Sequence, residues 1–456
     1  MQETVASALA QMARLDPKAA RSAESALETL TAGRGLETLS QRAVQEFCWY
    51  VLPLRFPTES AEWGFVAESL GHLFSLLDLP RYAEICTSGR TRDILSAHAA
   101  GHGRGVLAYE RSMRASGVEP PDLAELTWGT ALGQAEIEAY QAASAALELS
   151  IAAGEVRPGS RGWRSAQERH ARAFLTRPDG QGRSRLDRIR EERVREWLSS
   201  PSHPHRRRLW PLLDQITVGA EPPHDAARAL APVQRLLDYA DDGIGLTQIG
   251  YISPSVVREL CGEFAWETTP SSPRSETDVM QIIALHKLLR TMRAVRRCGR
   301  RLVLTRRGRQ LHESTEALWR AVAESVLCTD GFEQAATETL LGLLLLRSPR
   351  SRGSHSRDGN VDIAEEARLA LADAGWEHPS GDDETDEDSP DGSRRCGRRR
   401  VESVLITVTW LLETLGCVSG HDLLGEGRTS PRLTKVGRAF ALTAIHLSAT
   451  SPRASL

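Results

Sequence analysis

The stretch between Val279 and His312 contains ten basic residues and no Asp or Glu. Clustered cations without neighbouring anions attract phosphate groups, and such contacts position a protein on nucleic acid without reading its sequence. We therefore take the basic residues of this stretch as the candidate nucleic-acid-binding residues, and we call them the basic set. They are Lys287, Arg290, Arg293, Arg296, Arg297, Arg300, Arg301, Arg306, Arg307 and Arg309.

An amphipathic helix is predicted to position the first part of the basic set. Apolar residues at helical spacing indicate a helix from Glu276 to about Arg293, and Ser275 with Asp278 resembles a capping box at its start. At about 100° per residue, four basic side chains on one continuous helix fall within a sector of roughly 120°, opposite much of the apolar stripe. The stripe consists of Ile282, Leu285, Leu289 and Met292, and the sector of Lys287, Arg290, Arg293 and Arg297.

An internal repeat includes the last three residues of the basic set. Residues Leu304–Leu311 and Leu433–Phe440 both have the pattern Leu-Thr-basic-x-Gly-Arg-x-apolar. In each copy a long apolar-striped helix, a hairpin-like stretch and a short strand come first, and Thr305 or Thr434 is suited to cap the helix that follows. The order helix, strand, turn, strand, helix predicts a winged-helix ending in both copies.

The remaining parts of a winged helix are found upstream of the first copy. An apolar helix is predicted around Val233–Tyr239, and Ser253 with Pro254 is suited to begin a second helix that runs through Phe264. Arg301–Thr305 is predicted to form the returning strand, with Cys298 and Gly299 near the turn. We therefore expect a mainly α fold, with an N-terminal helical domain followed by two winged-helix-like modules with short β-hairpins.

Changes in composition along the chain predict seven segments. Helical periodicity dominates the first, and Pro, Gly, Ser or charge runs mark the connecting ones. An acidic block from Asp382 to Asp388 precedes a basic block in the last linker, where few apolar groups are available to offset the entropy of ordering. The segments are a helical domain at 1–178, a basic, Pro-rich connector at 179–221, a first module at 222–347, a linker at 348–360, a helical segment at 361–380, a disordered linker at 381–400 and a second module at 401–456.

Overall composition excludes several classes of protein. The chain has 456 residues, with 57 Lys plus Arg against 60 Asp plus Glu, which is ordinary for a multidomain soluble protein. Its seven cysteines include no CxxC pair, so neither a disulfide framework nor a zinc site is indicated. No apolar run approaches the length of a membrane span, and the first residues do not resemble a secretion signal, so we expect a cytoplasmic protein with no membrane association.

No pattern in the sequence indicates catalysis, a metal site or a cofactor. His98, His102 and the nearby glycines lack the strand and the Lys-Ser/Thr ending of a phosphate loop, so a helix surface or a loop is favoured. His203 and His205 lie in a Pro/Ser-rich stretch, which favours a solvated linker, with an anion-contacting arm as the alternative. An enzyme is therefore the least expected class.

Part of the chain resembles a known group of proteins. Residues Leu246 to about Leu346, which include Leu-Thr-Gln-Ile-Gly-Tyr at 246–251 and the first copy of the repeat, resemble the C-terminal region of actinobacterial plasmid-type proteins of the pRiA open-reading-frame-three-like group. The resemblance covers about a quarter of the chain and implies a bacterial, actinobacterial origin and a winged-helix-like body, but no activity. The Leu-Thr-x-x-Gly-Arg ending also looks like the wing region of winged-helix transcriptional regulators, which implies DNA binding.

These patterns favour a non-enzymatic bacterial protein that binds double-stranded DNA through the first module. The N-terminal helical domain is expected to recognise a protein partner or a ligand. The second module has fewer basic residues, so we expect it to pack or dimerise. The alternative is an adaptor whose winged helices dock proteins rather than DNA. The sequence does not define the oligomeric state. Basic residues around the repeat in the second module are Arg428, Arg432, Lys435 and Arg438.

Overall fold

The computed structural model is mainly helical, with small antiparallel sheets. It describes residues 2–56, 60–266, 273–328, 331–347, 363–376, 398–419 and 431–453. The chain divides into two compact units, one of residues 1–189 with 452–456 and the other of residues 190–451. Within the described ranges, no helix has both the length and the apolar character that crossing a bilayer requires.

The first unit consists of helices around an aromatic and aliphatic core. Trp49, Phe47, Phe74 and Met12 are fully buried in it. The helices are α1 (Gln2–Leu15), α2 (Pro17–Thr31), α3 (Gln41–Glu46), α4 (Leu52–Arg55), α5 (Ser60–Leu76), α6 (Pro80–Thr87), α7 (Gly89–Ala99), α8 (His102–Ser116), α9 (Gln134–Ala152), α10 (Trp163–Thr176) and the start of α11 (Arg185–Ser199); a 3-10 turn at Leu36–Thr38 and a π-helical turn at Phe47–Val51 complete it.

The second unit contains both copies of the repeat. After the end of α11 come a 3-10 helix at Pro204–Leu212, α12 (Leu213–Val218), α13 (Ala226–Ala229), α14 (Ala231–Asp242), β1 (Ile244–Gly245), α15 (Pro254–Phe264), a 3-10 turn at Glu276–Asp278, α16 (Met280–Thr291), β2 (Val295–Cys298), β3 (Arg301–Leu304), α17 (Arg306–His312), α18 (Thr315–Val326), α19 (Phe332–Leu346), α20 (Ile363–Asp373), α21 (Arg398–Thr414), β4 (Val418–Ser419), β5 (Arg432–Leu433) and α22 (Lys435–Ala449).

The two copies of the repeat share one hydrophobic core. Trp319 of α18 contacts Phe440 of α22 edge to face, with ring centroids 5.4 Å apart. The indole N–H of Trp319 donates a hydrogen bond to Thr443 Oγ1 at 3.3 Å. Both rings are fully buried, so the last helix of the second copy contributes to the same core as the first copy. The expectation that the second copy packs agrees with this arrangement.

Part of the predicted connector at 179–221 belongs to the core of the second unit. His205 and Arg206 are buried, and both bind Glu338 of α19: His205 Nε2 lies 2.8 Å from Oε2, and Arg206 donates from Nε at 2.7 Å and from a terminal nitrogen at 2.9 Å. Burial raises the pKa of Glu338, but these hydrogen bonds outweigh burial and hold the pKa below the usual glutamate value. The solvated-linker interpretation of His205 is therefore wrong, because His205 is a partner of a buried carboxylate 133 residues away in the sequence.

Two predicted linkers fall largely outside the described residues. The linker at 348–360 lies there entirely, as do residues 381–397 of the acidic and basic linker. The remaining residues of that linker, 398–400, begin α21 instead of continuing a linker.

The predicted hairpin is present in the first copy. Strands β2 and β3 pair antiparallel, with Val295 opposite Leu304 and Cys298 opposite Arg301, and β1 pairs with the other edge of β3, so the sheet order is β1-β3-β2. Gly299 in the two-residue connection has φ +60°, a conformation that glycine adopts without steric cost. The returning strand and its turn are thus where the sequence predicts them.

The repeated Leu-Thr-x-x-Gly pattern has a clear structural cause. Thr305 Oγ1 accepts a hydrogen bond from the backbone N–H of Gly308 at 3.0 Å and donates to the carbonyl oxygen of Arg293 at 2.8 Å. In the second copy Thr434 Oγ1 accepts from the N–H of Gly437 at 3.0 Å and donates to the carbonyl oxygen of Gly416 at 2.9 Å. Each threonine therefore caps the helix after the hairpin and ties it to the end of the helix before the hairpin.

Helix α16 ends earlier than the sequence predicts. Its last residue is Thr291, and Arg293 has φ +54°, in the left-handed region. At the equivalent position of the second copy, Gly416 has φ +62°. Because the chain turns at Arg293, that residue and Arg297 do not lie on one helical face with Lys287 and Arg290, and the predicted sector of four residues is wrong.

A buried carboxylate holds α16 in place. The predicted capping box of Ser275 and Asp278 is present, but it caps the 3-10 turn before α16. Within that turn, Glu276 accepts a hydrogen bond from the backbone N–H of Ile252 at 2.6 Å and lies 2.8 Å from His286 Nδ1 on α16. Glu276 and His286 are both buried, so this pair fixes α16 against the loop between β1 and α15.

Alanine at the repeated glycines should destabilise the second unit. A Cβ on Gly308 would overlap the carbonyl oxygen of Ala294, and one on Gly437 would overlap that of Cys417. Both obstacles are backbone atoms, so Gly308→Ala and Gly437→Ala should each lower the free energy of unfolding by about 1–3 kcal/mol in urea denaturation. Gly262→Ala is the matched control: no atom lies within 4 Å of its Cβ, and helix propensity should raise stability by about 0.5–1 kcal/mol. Equal stability of Gly308→Ala and wild type would contradict the close approach.

Removal of the buried carboxylate should also destabilise this unit. Glu276→Gln loses a charge-assisted hydrogen bond with His286, which costs about 1.5–3 kcal/mol. Glu263→Gln is the control, because the ion pair of Glu263 with Arg235 is solvent-exposed and its loss should change stability much less. Urea denaturation of the two variants measures the difference. A Glu276→Gln protein no less stable than Glu263→Gln would show that the pair does not hold α16.

Candidate nucleic-acid interface

The side chains of the basic set all lie at the surface. Each of the ten residues from Lys287 to Arg309 is exposed. Within the described part of the chain, Arg307 is the member of the set with a carboxylate within 4 Å: its guanidinium lies 3.9 Å from Glu324 Oε2, and both side chains are more than half exposed. An exposed pair at this distance offsets little charge. The set therefore presents an excess of positive charge to solvent.

Three elements present this charge. Helix α16 presents Lys287 and Arg290, which are about 60° apart around the helix axis. The β2–β3 hairpin presents Arg296, Arg297, Arg300 and Arg301, and α17 presents Arg306, Arg307 and Arg309. Arg293 lies at the turn between α16 and β2.

Strand pairing sets the directions of the hairpin arginines. Arg296 is opposite Val303 and Arg301 is opposite Cys298 on one face of the hairpin, whereas Arg297 shares the other face with buried Leu302. Arg297 donates from Nε to the carbonyl oxygen of Gly299 at 3.0 Å. The hairpin thus places cations on both of its faces and at its tip.

The threonine cap brings the end of α16 next to the start of α17. Thr305 donates to the carbonyl oxygen of Arg293, and Arg306 follows it directly at the first position of α17. Arg306 and Arg307 are the first two residues of α17, and the first turn of this helix has no acidic residue. The positive end of the helix dipole is unfavourable for cations at this position. A bound anion would relieve this local repulsion.

The second copy has less free charge. Arg438 donates to the carbonyl oxygen of Leu345 at 3.1 Å and to Gln215 Oε1 at 2.6 Å, so its guanidinium is part of the packing. Arg432 and Lys435 are exposed, and Arg428 lies outside the described residues. The second copy was predicted to have fewer basic residues, and the hydrogen bonds of Arg438 reduce further the number of its cations that are free to bind a ligand.

The other polar candidates have structural roles. His98 of the first unit is buried, and its Nε2 lies 3.0 Å from the carbonyl oxygen of Trp49. Burial lowers the pKa of His98. Gly105 leaves room for the imidazole ring, since a Cβ there would overlap it. No group of three or more His, Cys, Asp or Glu side chains in the described ranges could hold a metal ion.

Sequence reasoning missed the side chains that support the interface. The Glu276–His286 pair joins the 3-10 turn before α16 to α16 itself, and no motif marks it. The left-handed conformation of Arg293 was not predicted, because the apolar spacing of the helix continues through Met292 and gives no sign that the helix ends before it. The glycine at the equivalent position of the second copy is the signal that could have located the helix end.

Comparisons with known proteins bear on the region that contains the basic set. Residues 226–317 match a family model described as the Y4jL N-terminal domain. The match runs from α13 into the beginning of α18, and the description names no activity. No curated protein and no solved structure matches the chain.

Proposed function

We propose that the second unit binds double-stranded DNA, and that the protein is a non-enzymatic, bacterial, transcription-regulator-like protein. In this proposal the segment from α14 to β3 is a winged-helix module, α16 is its recognition helix and the β2–β3 hairpin is its wing. The observation on which the proposal depends is that the whole basic set is exposed and that, among the residues the structure describes, Arg307 is the member with a carboxylate within 4 Å.

The order and pairing of the elements favour a winged helix. The chain passes through α14, β1, α15 and α16 before the hairpin, and the sheet order β1-β3-β2 places the hairpin beside the first strand. A helix pair followed by a hairpin is the arrangement in which one helix enters the major groove and neighbouring elements contact the backbone. Lys287 and Arg290 on α16 and the four hairpin arginines would then contact phosphates.

Backbone strain at Arg293 favours a functional use of its charge. A side chain in the left-handed region costs roughly 1–2 kcal/mol, and glycine occupies the equivalent position in the second copy. Glycine would adopt this backbone conformation at lower energy, so the presence of an arginine indicates that its positive charge has a role. Contact with a phosphate next to the wing is the contribution that the surrounding charge favours.

The first unit is proposed to recognise a partner or a ligand of the protein. The adaptor hypothesis, in which the winged helices dock proteins, differs in one measurable respect: it predicts no binding to random duplex DNA at low or moderate salt.

Neutralisation of four cations should weaken DNA binding and flatten its salt dependence. Arg290, Arg293, Arg300 and Arg301 changed together to Ala should lower affinity for a random duplex by about tenfold or more, because each lost phosphate contact removes about 0.9 from the slope of log affinity against log salt. The slope should fall by up to about 4. Fluorescence anisotropy over a salt series measures both quantities.

The control for this variant has the same change in net charge. Arg90, Arg92, Arg104 and Arg111 are exposed arginines of the first unit, and their joint replacement by Ala should leave affinity and slope unchanged. Equal effects of the two quadruple variants would mean that net charge alone matters. An unchanged affinity after loss of the interface arginines would refute the proposed surface.

Glycine at position 293 should separate stability from binding. Arg293→Gly removes the strained side-chain conformation and should raise the free energy of unfolding by up to about 1 kcal/mol, yet it removes a cation and should weaken DNA binding. Arg293→Lys keeps the charge and should keep both properties near those of the wild type. A glycine variant that binds DNA as tightly as wild type would exclude Arg293 from the interface.

A further inference from the structure

We infer that a pocket between α16 and α21 binds a small aliphatic α-amino acid. The pocket has a volume of about 160 Å³, and α18 and α19 complete its walls. It lies where the two copies of the repeat meet. Ala284 and Leu288 of α16 line it together with Thr407 and Leu411 of α21. These residues occupy equivalent positions in the two copies, because the α16 pair precedes Arg293 by the same numbers of residues as the α21 pair precedes Gly416.

The inner surface of the pocket suits a branched aliphatic side chain. Leu288, Val326 and Leu411 are buried, and Val404 and Val408 are half-buried beside them. A cavity of about 150 Å³ with apolar walls accommodates a molecule the size of benzene. The volume therefore fits a short hydrocarbon group and excludes a nucleotide or an extended lipid.

One cation and one anion lie at the lining of the same pocket. Lys287 comes from α16 and Glu333 from α19. Within the described residues neither has an oppositely charged side chain within 4 Å, and Glu333 is half-buried. A ligand with a carboxylate and an ammonium group would give each of them a partner.

The hydroxyl groups of the lining favour an ammonium group in particular. Thr291, Thr337 and Thr407 each donate their hydroxyl hydrogen to a backbone carbonyl four residues earlier, at 3.0, 2.8 and 2.9 Å. Their oxygens can then only accept hydrogen bonds from a ligand. With the Glu333 carboxylate, the lining offers more acceptors than donors, so a plain carboxylic acid fits it less well than an amino acid does.

The pocket shares Lys287 with the basic set. A ligand carboxylate that binds Lys287 competes with a phosphate for the same ammonium group, so ligand and DNA should weaken each other's binding by the same factor. This coupling, unlike the pocket itself, rests on the proposed function.

Calorimetry with the full chain and L-leucine tests the pocket. Saturable binding is expected, and 4-methylpentanoate and 3-methylbutylamine, which each lack one charged group, should bind about tenfold more weakly or worse. Absence of saturable L-leucine binding would overturn the inference, as would equal binding of 4-methylpentanoate.

Two variants locate the binding to the pocket. Ala284→Leu extends a buried lining residue into the cavity and should abolish binding, whereas Glu333→Gln keeps the shape and should weaken binding about tenfold. Glu313→Gln, an exposed glutamate beyond the pocket, is the matched control and should bind like wild type. Unchanged L-leucine affinity in Glu333→Gln refutes the assignment even if Ala284→Leu does not fold.

A separate measurement tests the coupling. L-leucine added to the DNA anisotropy assay should lower DNA affinity, with no effect of 4-methylpentanoate at the same concentration. Retained calorimetric binding without any effect on DNA affinity would refute the coupling and leave the pocket. Absence of DNA binding altogether would refute the proposed function, and calorimetry would still decide the pocket.

Discussion

The close contact between the helix after each hairpin and the helix before it is the constraint on which the second unit depends. Thr305 and Gly308 meet the carbonyl oxygens of Arg293 and Ala294, and the threonine caps α17 in the same interaction. Only glycine leaves room for this backbone approach. The contact determines where α16 ends, how the hairpin leaves it and which way the arginines around it point.

The charges of this unit are sorted between interior and surface. Two buried glutamates serve the fold: Glu276 binds His286, and Glu338 binds His205 and Arg206. A buried carboxylate without such partners would be costly, so these acids are committed to internal contacts. Within the described ranges, the acid within 4 Å of the basic set is Glu324, which lies beside Arg307 in an exposed pair.

The two copies of the repeat have different structural roles within the second unit. Both retain the threonine cap and the close glycine, but α22 of the second copy packs on α18, and Arg438 is engaged in packing. Helix α21 lies along α16 and forms the pocket with it. In our proposals the first copy contacts DNA, while the second supports it and supplies half of a ligand site.

Local patterns in the sequence were sufficient to predict the structural features that depend on residues close together in the chain. The caps at Thr305 and Thr434, the returning strand near Arg301 and the exposure of the basic set follow from residue type and short-range spacing. The end of α16 at Thr291, the burial of His205 and the Glu276–His286 pair were decided by tertiary structure. Apolar periodicity persists past a helix end, and a buried carboxylate selects its partners by proximity in space, so neither leaves a signal in the local sequence.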